Sequence, residues 1–348
     1  MTKKIKVAIN GFGRIGRAFF RVAEKRPELE VVAVNDLGDI ENFAYLLRHD
    51  TVYRNDNLKV KVNRQPTTDN RQQGELIVNE KTIKFLSEKE PTKLPWGKLD
   101  IDVVVEATGL FTSFEKAKVH LIAGAKKVVI SAPAKDAPRD DSEATVLLGI
   151  NEEKLAKCKI SSNASCTTNA ASPVIAILHE TLGIEKALLN TVHAYTASQA
   201  IVDGPNKKDF REGRAAAQNI VPSSTGAAIA VTKAFPQLTG LFDGISLRVP
   251  VVAGSIADIT FISKKQTSAE EVNEILRKAA KEKRWQGIFA VNEDEPVSSD
   301  IIGDRHASIA DLKMTRVVGG NLVKVLAWYD NEMGYAYTLV KHVIKIGN

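Results

Sequence analysis

The sequence has little cysteine, few aromatic residues and no long apolar run. Its 348 residues include two cysteines, and aromatic residues make up 6% of the chain. Two cysteines in a chain of this length exclude a disulfide framework, and no set of Cys and His residues has zinc-site spacing, so we predict no metal. No stretch approaches the roughly 20 apolar residues that span a bilayer, and the first apolar run is too short for a signal peptide. We therefore expect a cytoplasmic chain without a membrane partner.

The charge of the chain is mildly positive. Its formal net charge is +6, with 26% charged and 44% hydrophobic residues, which is typical of a globular protein. Because the lysines are scattered, nucleic acid is not expected as the main partner. A mildly basic surface favours small, phosphate-bearing substrates instead. The length predicts two domains.

The first 165 residues alternate strand patterns with helix patterns. This alternation predicts a parallel sheet with helices on both faces. Residues 50–100 are polar and poor in strand patterns, so we interpret them either as hairpins at the sheet edge or as loops. The strand patterns are 4–10, 30–35, 101–107 and 126–131, and the helix patterns are 14–26 and 114–123.

The pattern changes after residue 166, where strands are no longer separated by helices. This part predicts a mixed or antiparallel sheet. The loop at about 198–219 is long and polar, which is typical of a functional loop. Residues 332–345 have the pattern of an amphipathic closing helix. The strand patterns are 186–194, 244–252, 255–263 and 321–330, and the helix patterns are 225–235 and 268–282.

A glycine-rich turn lies between the first strand pattern and the first helix pattern. Gly11, Gly13 and Gly16 fit the G-x-G-x-x-G form, whose glycines permit a tight turn, close approach of a pyrophosphate, and packing of helix on strand. The helix N-terminus then supplies N–H groups to the phosphates. Asp36 ends the next strand 20 residues after Gly16, and a carboxylate there favours NAD over NADP. The alternative is a turn that serves packing alone.

Cys166 lies in the run Ser-Asn-Ala-Ser-Cys-Thr-Thr-Asn, residues 162–169, at the start of a helix-like stretch. The positive end of a helix dipole favours a thiolate, which is the nucleophilic form of cysteine. The alternative is a small core residue, against which the polar neighbours argue. Pro173 predicts that this helix is kinked or starts late. Cys158 lies in a charged run and is interpreted as structural or incidental.

An activated thiol needs a base, and the chain has six histidines. His193 lies in Thr-Val-His-Ala-Tyr-Thr, at the end of an apolar strand pattern, where active residues often project. His179 follows Cys166 on the same helix pattern and is interpreted as a packing or surface residue. His193 is also open to interpretation as a core histidine, because the sequence does not show that it reaches Cys166.

A series of motifs resembles one known family, in the order in which that family carries them. The resemblance runs from about residue 5 to 345, nearly the whole chain. The motifs are Ala-Ile-Asn-Gly-Phe-Gly-Arg-Ile-Gly-Arg, Val-Asn-Asp, Ile-Ser-Ala-Pro-Ala, the cysteine and histidine motifs above, Ser-Thr-Gly-Ala-Ala, Leu-Arg-Val-Pro and Trp-Tyr-Asp-Asn-Glu-Met-Gly-Tyr. Together they make the chain similar to the phosphorylating, NAD-dependent glyceraldehyde-3-phosphate dehydrogenases.

The resemblance implies a fold, a cofactor and an assembly. The fold is α/β, with a Rossmann-type parallel sheet in an NAD-binding domain of residues 1–165. An α+β catalytic domain with a mixed or antiparallel sheet follows at 166–331, and a C-terminal helix at 332–348 packs back on the NAD-binding domain. The assembly is a homotetramer in which the loop at 198–219 reaches a neighbour's cofactor site. The implied NAD contacts are Gly11, Gly13, Arg14, Ile15, Asp36, Ser131 and Asn331.

The resemblance also implies a reaction, the oxidation of D-glyceraldehyde 3-phosphate to 1,3-bisphosphoglycerate with NAD and inorganic phosphate. Cys166 is the implied nucleophile, and His193 is the base that activates it. Thr196 and Arg248 match the site for the substrate's C3 phosphate. The positions that match the site for the attacking inorganic phosphate are Ser165, Thr167, Thr225 and Gly226.

The chain departs from the family pattern at several places. Ala170 stands where many members have a second cysteine, which leaves the nucleophile untouched. Residues 251–255 replace a common Thr-Pro-Asn-Val-Ser, and the charged loop at 135–143 is slightly longer than usual. In the long loop, the paired arginines of many bacterial members are replaced, and Glu212 leaves the role of Arg211 open.

Three alternative functions share part of the pattern. An erythrose-4-phosphate dehydrogenase has the same thiol chemistry, but it usually lacks the equivalents of Thr196 and Gly226. Aspartate-semialdehyde dehydrogenase shares the architecture but not the cysteine motif. An NAD-binding or RNA-associated regulator with a retired site belongs to another class, and salt-dependent RNA binding without turnover would favour it. The complete set of Cys166, His193 and Arg248 favours a working enzyme.

Overall fold

The computed structural model describes residues 3–54, 58–64, 73–207 and 209–348. The chain divides into two compact units. The first unit comprises Met1–Val146, Glu153–Ala164 and Leu339–Asn348, and the second comprises Leu147–Glu152 and Ser165–Thr338.

These boundaries differ from those expected from the sequence, in which the first domain runs unbroken and takes the whole closing helix. Leu147–Glu152 belongs to the second unit. Gly149 in this segment lies against the ring of Trp285, and its carbonyl oxygen accepts a hydrogen bond from Arg284. Of the C-terminal segment, only Leu339–Asn348 groups with the first unit.

The first unit is built on one sheet. Its elements in chain order are β1 (Ile5–Asn10), α1 (Arg14–Ala23), β2 (Leu29–Asn35), α2 (Ile40–Arg48), β3 (Val60–Arg64), β4 (Gly74–Val78), β5 (Lys81–Leu86), β6 (Val103–Glu106), α3 (Phe114–Ala117), α4 (Val119–Ile122), β7 (Lys127–Ile130), β8 (Glu143–Thr145) and β9 (Ile160–Ser162). The strand order within the described residues is β3-β4-β5-β2-β1-β6-β7-β9-β8.

The predicted parallel sheet is confirmed. Strand β1 pairs in parallel with β2 and β6, and β6 pairs in parallel with β7. All four residues of β6 are buried, as expected for a strand covered on both faces. Strands β3, β4 and β5 form antiparallel hairpins at one edge, which confirms the hairpin interpretation for this region. Residues 55–57 and 65–72 of the region lie outside the described part of the chain.

The second unit contains a mixed sheet, as predicted. Its elements are α5 (Cys166–Thr181), β10 (Ile184–Ala194), β11 (Val221–Ser224), α6 (Ala227–Thr232), β12 (Phe242–Val249), β13 (Ser255–Ser263), α7 (Ala269–Ala280), β14 (Phe289–Asn292), β15 (Ser308–Val318), β16 (Leu322–Tyr329) and the first turns of α8 (Met333–Gly347). The strand order within the described residues is β11-β12-β10-β13-β16-β15-β14.

Strand β15 was not among the predicted strands. It carries Asp311, Lys313 and Arg316, and its pairing with β16 is irregular between Asp311 and Arg316. This irregularity breaks the alternation of apolar and polar residues, so the strand has no clear period of two. By contrast, β13 alternates buried and half-buried residues along its whole length and was predicted with the observed bounds.

The last turns of α8 pack within the first unit. Gly347 lies so close to Ile5 that a Cβ atom there would be 2.7 Å from the Ile5 side chain. His342 is fully buried, with Nε2 2.7 Å from Ser161 Oγ and Nδ1 3.0 Å from Asn163 Oδ1. An amide oxygen only accepts, so Nδ1 donates and Nε2 accepts. Burial lowers the pKa of His342 to about 3, so the ring is neutral at neutral pH.

This buried histidine predicts a loss of stability in acid. The unfolded chain protonates the ring below about pH 6.5, whereas the folded chain resists protonation until about pH 3. His342 therefore makes the free energy of unfolding fall by about 1.4 kcal/mol for each pH unit below 6.5. Urea titrations of the His342→Gln variant should give a shallower pH slope than the wild type by about that amount.

The exposed ring of His49 supplies the matched control. The His49→Gln variant removes an exposed histidine, and its urea titrations are run beside those of His342→Gln. The lowered pKa of His193 also makes the free energy of unfolding fall in acid, as that of His342 does. The quantity to compare is therefore the pH slope of each variant minus that of the wild type. An unchanged slope in His342→Gln would contradict the prediction.

Candidate active site

The glycine turn lies beside a cavity of about 290 Å³ in the first unit, lined in part by Gly11, Gly13 and Asp36. Gly11 has φ +95°, and a Cβ atom there would be 2.6 Å from the Thr108 nitrogen. A Cβ atom on Gly16 would be 2.1 Å from the Gly11 carbonyl oxygen. Both positions therefore require glycine because other chain atoms are too close. A Cβ atom on Gly13 would meet nothing within 4 Å, so it would enter open space beside the cavity.

Asp36 holds the glycine turn from the end of β2. Its carboxylate accepts hydrogen bonds from the backbone nitrogens of Phe12 at 2.6 Å and Gly38 at 3.0 Å. The carboxylate is half-buried and still lines the cavity, so it both fixes the turn and is accessible from the cavity. The open space at Gly13, the N-terminus of α1 and this carboxylate fit the phosphates and ribose of a dinucleotide.

The other residues expected at this site differ in their surroundings. Arg14 forms an ion pair with Asp50 at 2.8 Å, and its guanidinium lies 5.7 Å from the centre of the Tyr53 ring. Ile15 and Ser131 are half-buried. The Ser131 nitrogen donates to the backbone oxygen of Glu106.

A buried polar network lies beneath the cavity, and it was not foreseen from the sequence. The Glu106 carboxylate accepts a hydrogen bond from Asn10 at 2.7 Å and lies 2.9 Å from His120 Nε2. Asn35 donates to Asn10 at 2.8 Å, and Trp96 donates to His120 at 3.2 Å. The signal in the sequence was a polar residue at the end of each apolar strand, because Asn10, Asn35 and Glu106 end β1, β2 and β6. The network fixes the strand ends from which the cavity is built.

Cys166 is the first residue of α5, as its sequence context predicted. Ser165 caps the helix, since its Oγ accepts a hydrogen bond from the Thr168 nitrogen at 3.0 Å. The helix runs through Pro173 to Thr181, so of the two expected alternatives, a kink or a late start, the late start is wrong. Cys158 is buried, and burial raises the pKa of its thiol to about 11.

His193 reaches Cys166. Its Nε2 lies 3.4 Å from Sγ of Cys166, so His193 contacts the thiol although it is buried, as a core histidine would be. Its ring is buried and meets the Tyr329 ring edge-on, at 5.9 Å between centres. His179 is half-buried and accepts a hydrogen bond from the Ile184 nitrogen, as a packing residue would.

Withdrawal from water shifts the pKa values of the pair in opposite directions. It raises the pKa of the half-buried Cys166 thiol, although the charge of Arg248 and hydrogen bonds from Thr167 oppose the shift. Burial lowers the pKa of His193 to about 3, and Arg248 adds to that shift. Both shifts favour the uncharged forms, a thiol and an imidazole. The positive end of the helix dipole acts on the thiol in the opposite direction, and the expected preference for thiolate stays a prediction.

Tyr329 supports the start of α5, and the sequence analysis missed it. Its hydroxyl shares a hydrogen bond of 2.9 Å with Thr167 Oγ1 and one of 2.7 Å with Thr191 Oγ1. All three side chains are buried. Tyr329 thereby ties the residue after Cys166 to β10, the strand that carries His193.

Arg248 lies beside His193 because β12 pairs in parallel with β10, with these two residues opposite each other. Arg248 Nη1 is 2.6 Å from His193 Nδ1 and 3.4 Å from the Ala194 carbonyl oxygen. His193 Nδ1 is itself 2.7 Å from that oxygen. Arg248 Nε is buried and has no hydrogen-bond partner among the described residues.

The remaining expected site residues have mainly local contacts. Thr196 Oγ1 is 3.0 Å from Ser198 Oγ, and Thr225 Oγ1 accepts from the Ala227 nitrogen at 3.2 Å. Gly226 is exposed at the start of α6. Arg211 is exposed in a short turn.

Asn331 is buried and braces the strand that carries His193. Its Oδ1 accepts hydrogen bonds from the Gly254 nitrogen at 3.2 Å and from Ser255 Oγ at 3.0 Å. Ser255 Oγ accepts in turn from the nitrogen of Ala194, the residue after His193.

Two features are absent from the described part of the chain. No group of three or more His, Cys, Asp and Glu side chains could hold a metal ion there. Among the helices of the same residues, none is long and apolar enough to cross a membrane.

Two family profiles match the chain. The glyceraldehyde 3-phosphate dehydrogenase NAD binding domain matches residues 5–114, and the glyceraldehyde 3-phosphate dehydrogenase C-terminal domain matches residues 165–331.

Several curated proteins are similar over almost their whole length. Glyceraldehyde-3-phosphate dehydrogenase 2 of Streptomyces avermitilis is 47% identical over 347 residues, which cover 99% of both chains. Glyceraldehyde-3-phosphate dehydrogenase 1 of Bacillus subtilis is 45% identical over 97% of this chain and 96% of its own length. Glyceraldehyde-3-phosphate dehydrogenase B of Aspergillus oryzae is 44% identical over 95% of both chains.

The glycine turn predicts that Gly13→Ala weakens NAD binding without destabilising the protein. Gly13 has φ −66°, which alanine adopts, and the new methyl group meets no chain atom within 4 Å. It does occupy the space a pyrophosphate needs, so we expect NAD affinity to fall by about tenfold or more, equivalent to about 1.4 kcal/mol. Calorimetric titration measures the NAD affinity of the variant, and thermal unfolding measures its stability.

Gly11→Ala is the matched comparison. Its backbone conformation and its close contacts should lower stability by about 1–3 kcal/mol as well as NAD binding. Wild-type affinity for NAD in Gly13→Ala would contradict the assignment of this turn.

Proposed function

The chain belongs to the glyceraldehyde-3-phosphate dehydrogenase family, and from that membership we propose that it oxidises D-glyceraldehyde 3-phosphate to 1,3-bisphosphoglycerate through a thioester on Cys166. The observation that carries the proposal is the distance of 3.4 Å between Cys166 Sγ and His193 Nε2. A nucleophile within reach of a base is the arrangement that covalent catalysis at a carbonyl group requires. The family's cofactor is NAD.

The first step forms a bond between Cys166 and the aldehyde. Sγ attacks the carbonyl carbon, the thiol proton passes to His193 Nε2, and the imidazolium returns that proton to the carbonyl oxygen to give a thiohemiacetal. The Cys166 backbone N–H and the imidazolium of His193 donate to the developing oxyanion. His193 then takes the hydroxyl proton as the carbon is oxidised to a thioester. NAD, when bound, supplies the hydride acceptor for this oxidation.

The second step is phosphorolysis of the thioester. Inorganic phosphate attacks the acyl carbon, the C–S bond breaks, and Cys166 returns as the thiol with the proton that His193 holds. Two anion sites are required, one for the substrate's own phosphate and one for the attacking phosphate. Arg248 and Thr196 form the first of these, where the guanidinium makes charge-assisted hydrogen bonds. The second is formed by Ser165, Thr167, Thr225 and Gly226.

The cofactor is held by the residues that match the family's NAD contacts. Gly11 and Gly13 admit the pyrophosphate, Asp36 accepts from the adenosine ribose, and Arg14, Ile15 and Ser131 complete the contacts in the first unit. Asn331 is a further match to the family's NAD contacts. The cavity beside Gly13 and the Asp36 carboxylate that lines it support the assignment of the glycine turn.

A homotetramer is supported by an exposed apolar face on the second unit's sheet. Leu188, Ile245 and Leu322 are 66%, 55% and 42% exposed. The strand register places them on the same face. A cavity of about 470 Å³ lies on it, lined in part by Leu188 and Leu322. Apolar side chains that are exposed to water on one chain favour an interface in which a second copy of the chain covers them.

The proposal predicts that Cys166→Ser loses nearly all NADH formation but still binds NAD. A serine hydroxyl is a much weaker nucleophile than a thiol beside the same base. Steady-state absorbance assays measure NADH formation, and calorimetric titration measures NAD binding. Cys158→Ser is the matched control and should keep wild-type turnover, because its thiol is buried and inert. Substantial oxidation by Cys166→Ser would rule out the thiol mechanism.

The proposal also predicts that NADH formation from glyceraldehyde 3-phosphate depends strictly on inorganic phosphate. Without phosphate, the thioester accumulates after one turnover, because no nucleophile removes it. A burst of NADH of about one equivalent per site, followed by a stall, is the expected progress curve. Steady phosphate-independent NADH formation would instead indicate hydrolysis to the free acid, a non-phosphorylating enzyme.

A further inference from the structure

We propose that Glu212 makes the site of the attacking phosphate selective for hydrogen phosphate over sulfate. Its carboxylate accepts a hydrogen bond from the P–O–H group that hydrogen phosphate keeps at neutral pH and that sulfate lacks. The inference rests on the proposed function, in which Thr225 and Gly226 belong to that site. It adds a specificity-determining residue to the reaction and leaves the chemistry at the thiol unchanged.

Glu212 is held in place by both its backbone and its side chain. Its nitrogen donates to the Asp209 carbonyl oxygen at 3.1 Å, and its carbonyl oxygen accepts from the Ala200 nitrogen at 2.9 Å. Its carboxylate accepts a hydrogen bond from Ser223 Oγ at 3.0 Å. Ser223 is buried, and Glu212 is half-buried. The carboxylate is therefore tied to strand β11, which carries Ser223.

The strand register shows which face of the sheet this carboxylate joins. Ser223 lies opposite Ser246 of β12. Arg248 is two residues, or about 7 Å, further along the same strand, and it lies opposite His193 of β10. Because side chains at alternate positions of a strand point to one face, the Ser223 hydroxyl lies on the face that carries Arg248 and His193. The carboxylate is thus anchored on the side of the sheet where the reaction takes place.

The same hydrogen bond brings the carboxylate towards the expected phosphate site. Thr225 follows Ser223 by two residues, immediately after the end of β11, and Gly226 comes next. Two residues of extended chain span about 7 Å. This short spacing puts the carboxylate in the neighbourhood of an anion held by Thr225 and Gly226, and we assign the direct contact to the hydroxyl group of that anion.

The carboxylate of Glu212 has an oxygen that needs a donor. Among the described residues, Ser223 is the one donor to this side chain, and no cation forms an ion pair with it. Arg214, two residues further on, pairs instead with Asp203 at 2.9 Å. A carboxylate without a cation repels a dianion, unless the anion itself supplies a hydrogen bond. Oε2 of Glu212 is therefore suited to a protonated anion.

Phosphate and sulfate are both tetrahedral anions, but they differ in protonation. At neutral pH inorganic phosphate still carries hydrogen, whereas sulfate is fully ionised. An ionised carboxylate only accepts hydrogen bonds, so it binds the P–O–H group and opposes every oxygen of sulfate. The proton stays on the phosphate, and another phosphate oxygen attacks the acyl carbon. The contact thereby selects the anion that reacts, since sulfate at this site would block it.

The test compares sulfate inhibition with phosphate use. NADH formation is measured with saturating NAD and glyceraldehyde 3-phosphate, so that sulfate competes with inorganic phosphate and not with the substrate's own phosphate group. Sodium chloride keeps the ionic strength constant. The quantity measured is the inhibition constant of sulfate divided by KM for phosphate. We expect a ratio of about 10 or more in the wild type, the effect of one charge-assisted hydrogen bond.

Glu212→Gln removes the charge and keeps the anchor. Its amide oxygen still accepts from Ser223, whereas its amide nitrogen donates to an anion that has no hydrogen. The inhibition constant of sulfate should therefore fall more than KM for phosphate does, and the ratio should fall by about tenfold. A purely structural role would move both constants together and leave their ratio unchanged.

Asp294→Asn is the matched control. It removes the same charge from an exposed residue that follows β14, and β14 lies at the opposite edge of the sheet from β11. Its ratio should equal that of the wild type. If Glu212→Gln does not fold, the wild-type ratio still decides the question, because a value near one means that the site does not distinguish the two anions.

Three outcomes overturn the inference: a wild-type ratio near one, a ratio that Glu212→Gln leaves unchanged, or an equal fall of the ratio in Asp294→Asn. With phosphate-dependent NADH formation, any of them refutes the inference alone and leaves the proposed function standing. Steady NADH formation by the wild type without phosphate refutes the proposed function, and the inference with it.

Discussion

The contact between Cys166 and His193 is the interaction on which the site depends, because a nucleophile and its base must lie within reach of each other. Withdrawal from water raises the pKa of the half-buried Cys166 thiol and lowers that of the buried His193 ring, so both shifts oppose an ion pair. The charge of Arg248 and hydrogen bonds from Thr167 lower the pKa of the thiol and therefore act in the opposite direction. Arg248 lies next to the pair, where Nη1 contacts both His193 Nδ1 and the Ala194 carbonyl oxygen.

In the first unit, the backbone packs closely around a cavity that stays open. Gly11 and Gly16 let the turn approach neighbouring chain atoms, whereas Gly13 leaves space free. The Asp36 carboxylate ties the turn to the end of β2, and the side-chain hydrogen bond from Asn10 to Glu106 connects the ends of β1 and β6. The turn is thus shaped by the chain before any ligand binds, so binding spends little free energy on ordering it.

Local patterns were predictable from the sequence, and long-range placement was not. The glycine turn, the start of α5 at Cys166 and the alternating β13 each follow from neighbouring residues. Strand β15 escaped because its irregular pairing with β16 hides its period. The contact of His193 with Cys166 depends on two elements separated in sequence, and no local pattern encodes it. The direction of the pKa shifts also escaped, because a helix N-terminus is visible in a sequence whereas the depth of burial is not.

The pairing register of the sheet places Arg248 beside the Cys166–His193 pair. Eight residues of β10, Ala187–Ala194, pair in parallel with Phe242–Val249 of β12, and this pairing puts Arg248 opposite His193. Side chains alternate between the two faces of a sheet, so a slip of one residue would carry Arg248 to the opposite face. No adjustment of a loop could then bring a guanidinium to within 2.6 Å of the imidazole. The register of these two strands therefore determines which charged side chain faces the base.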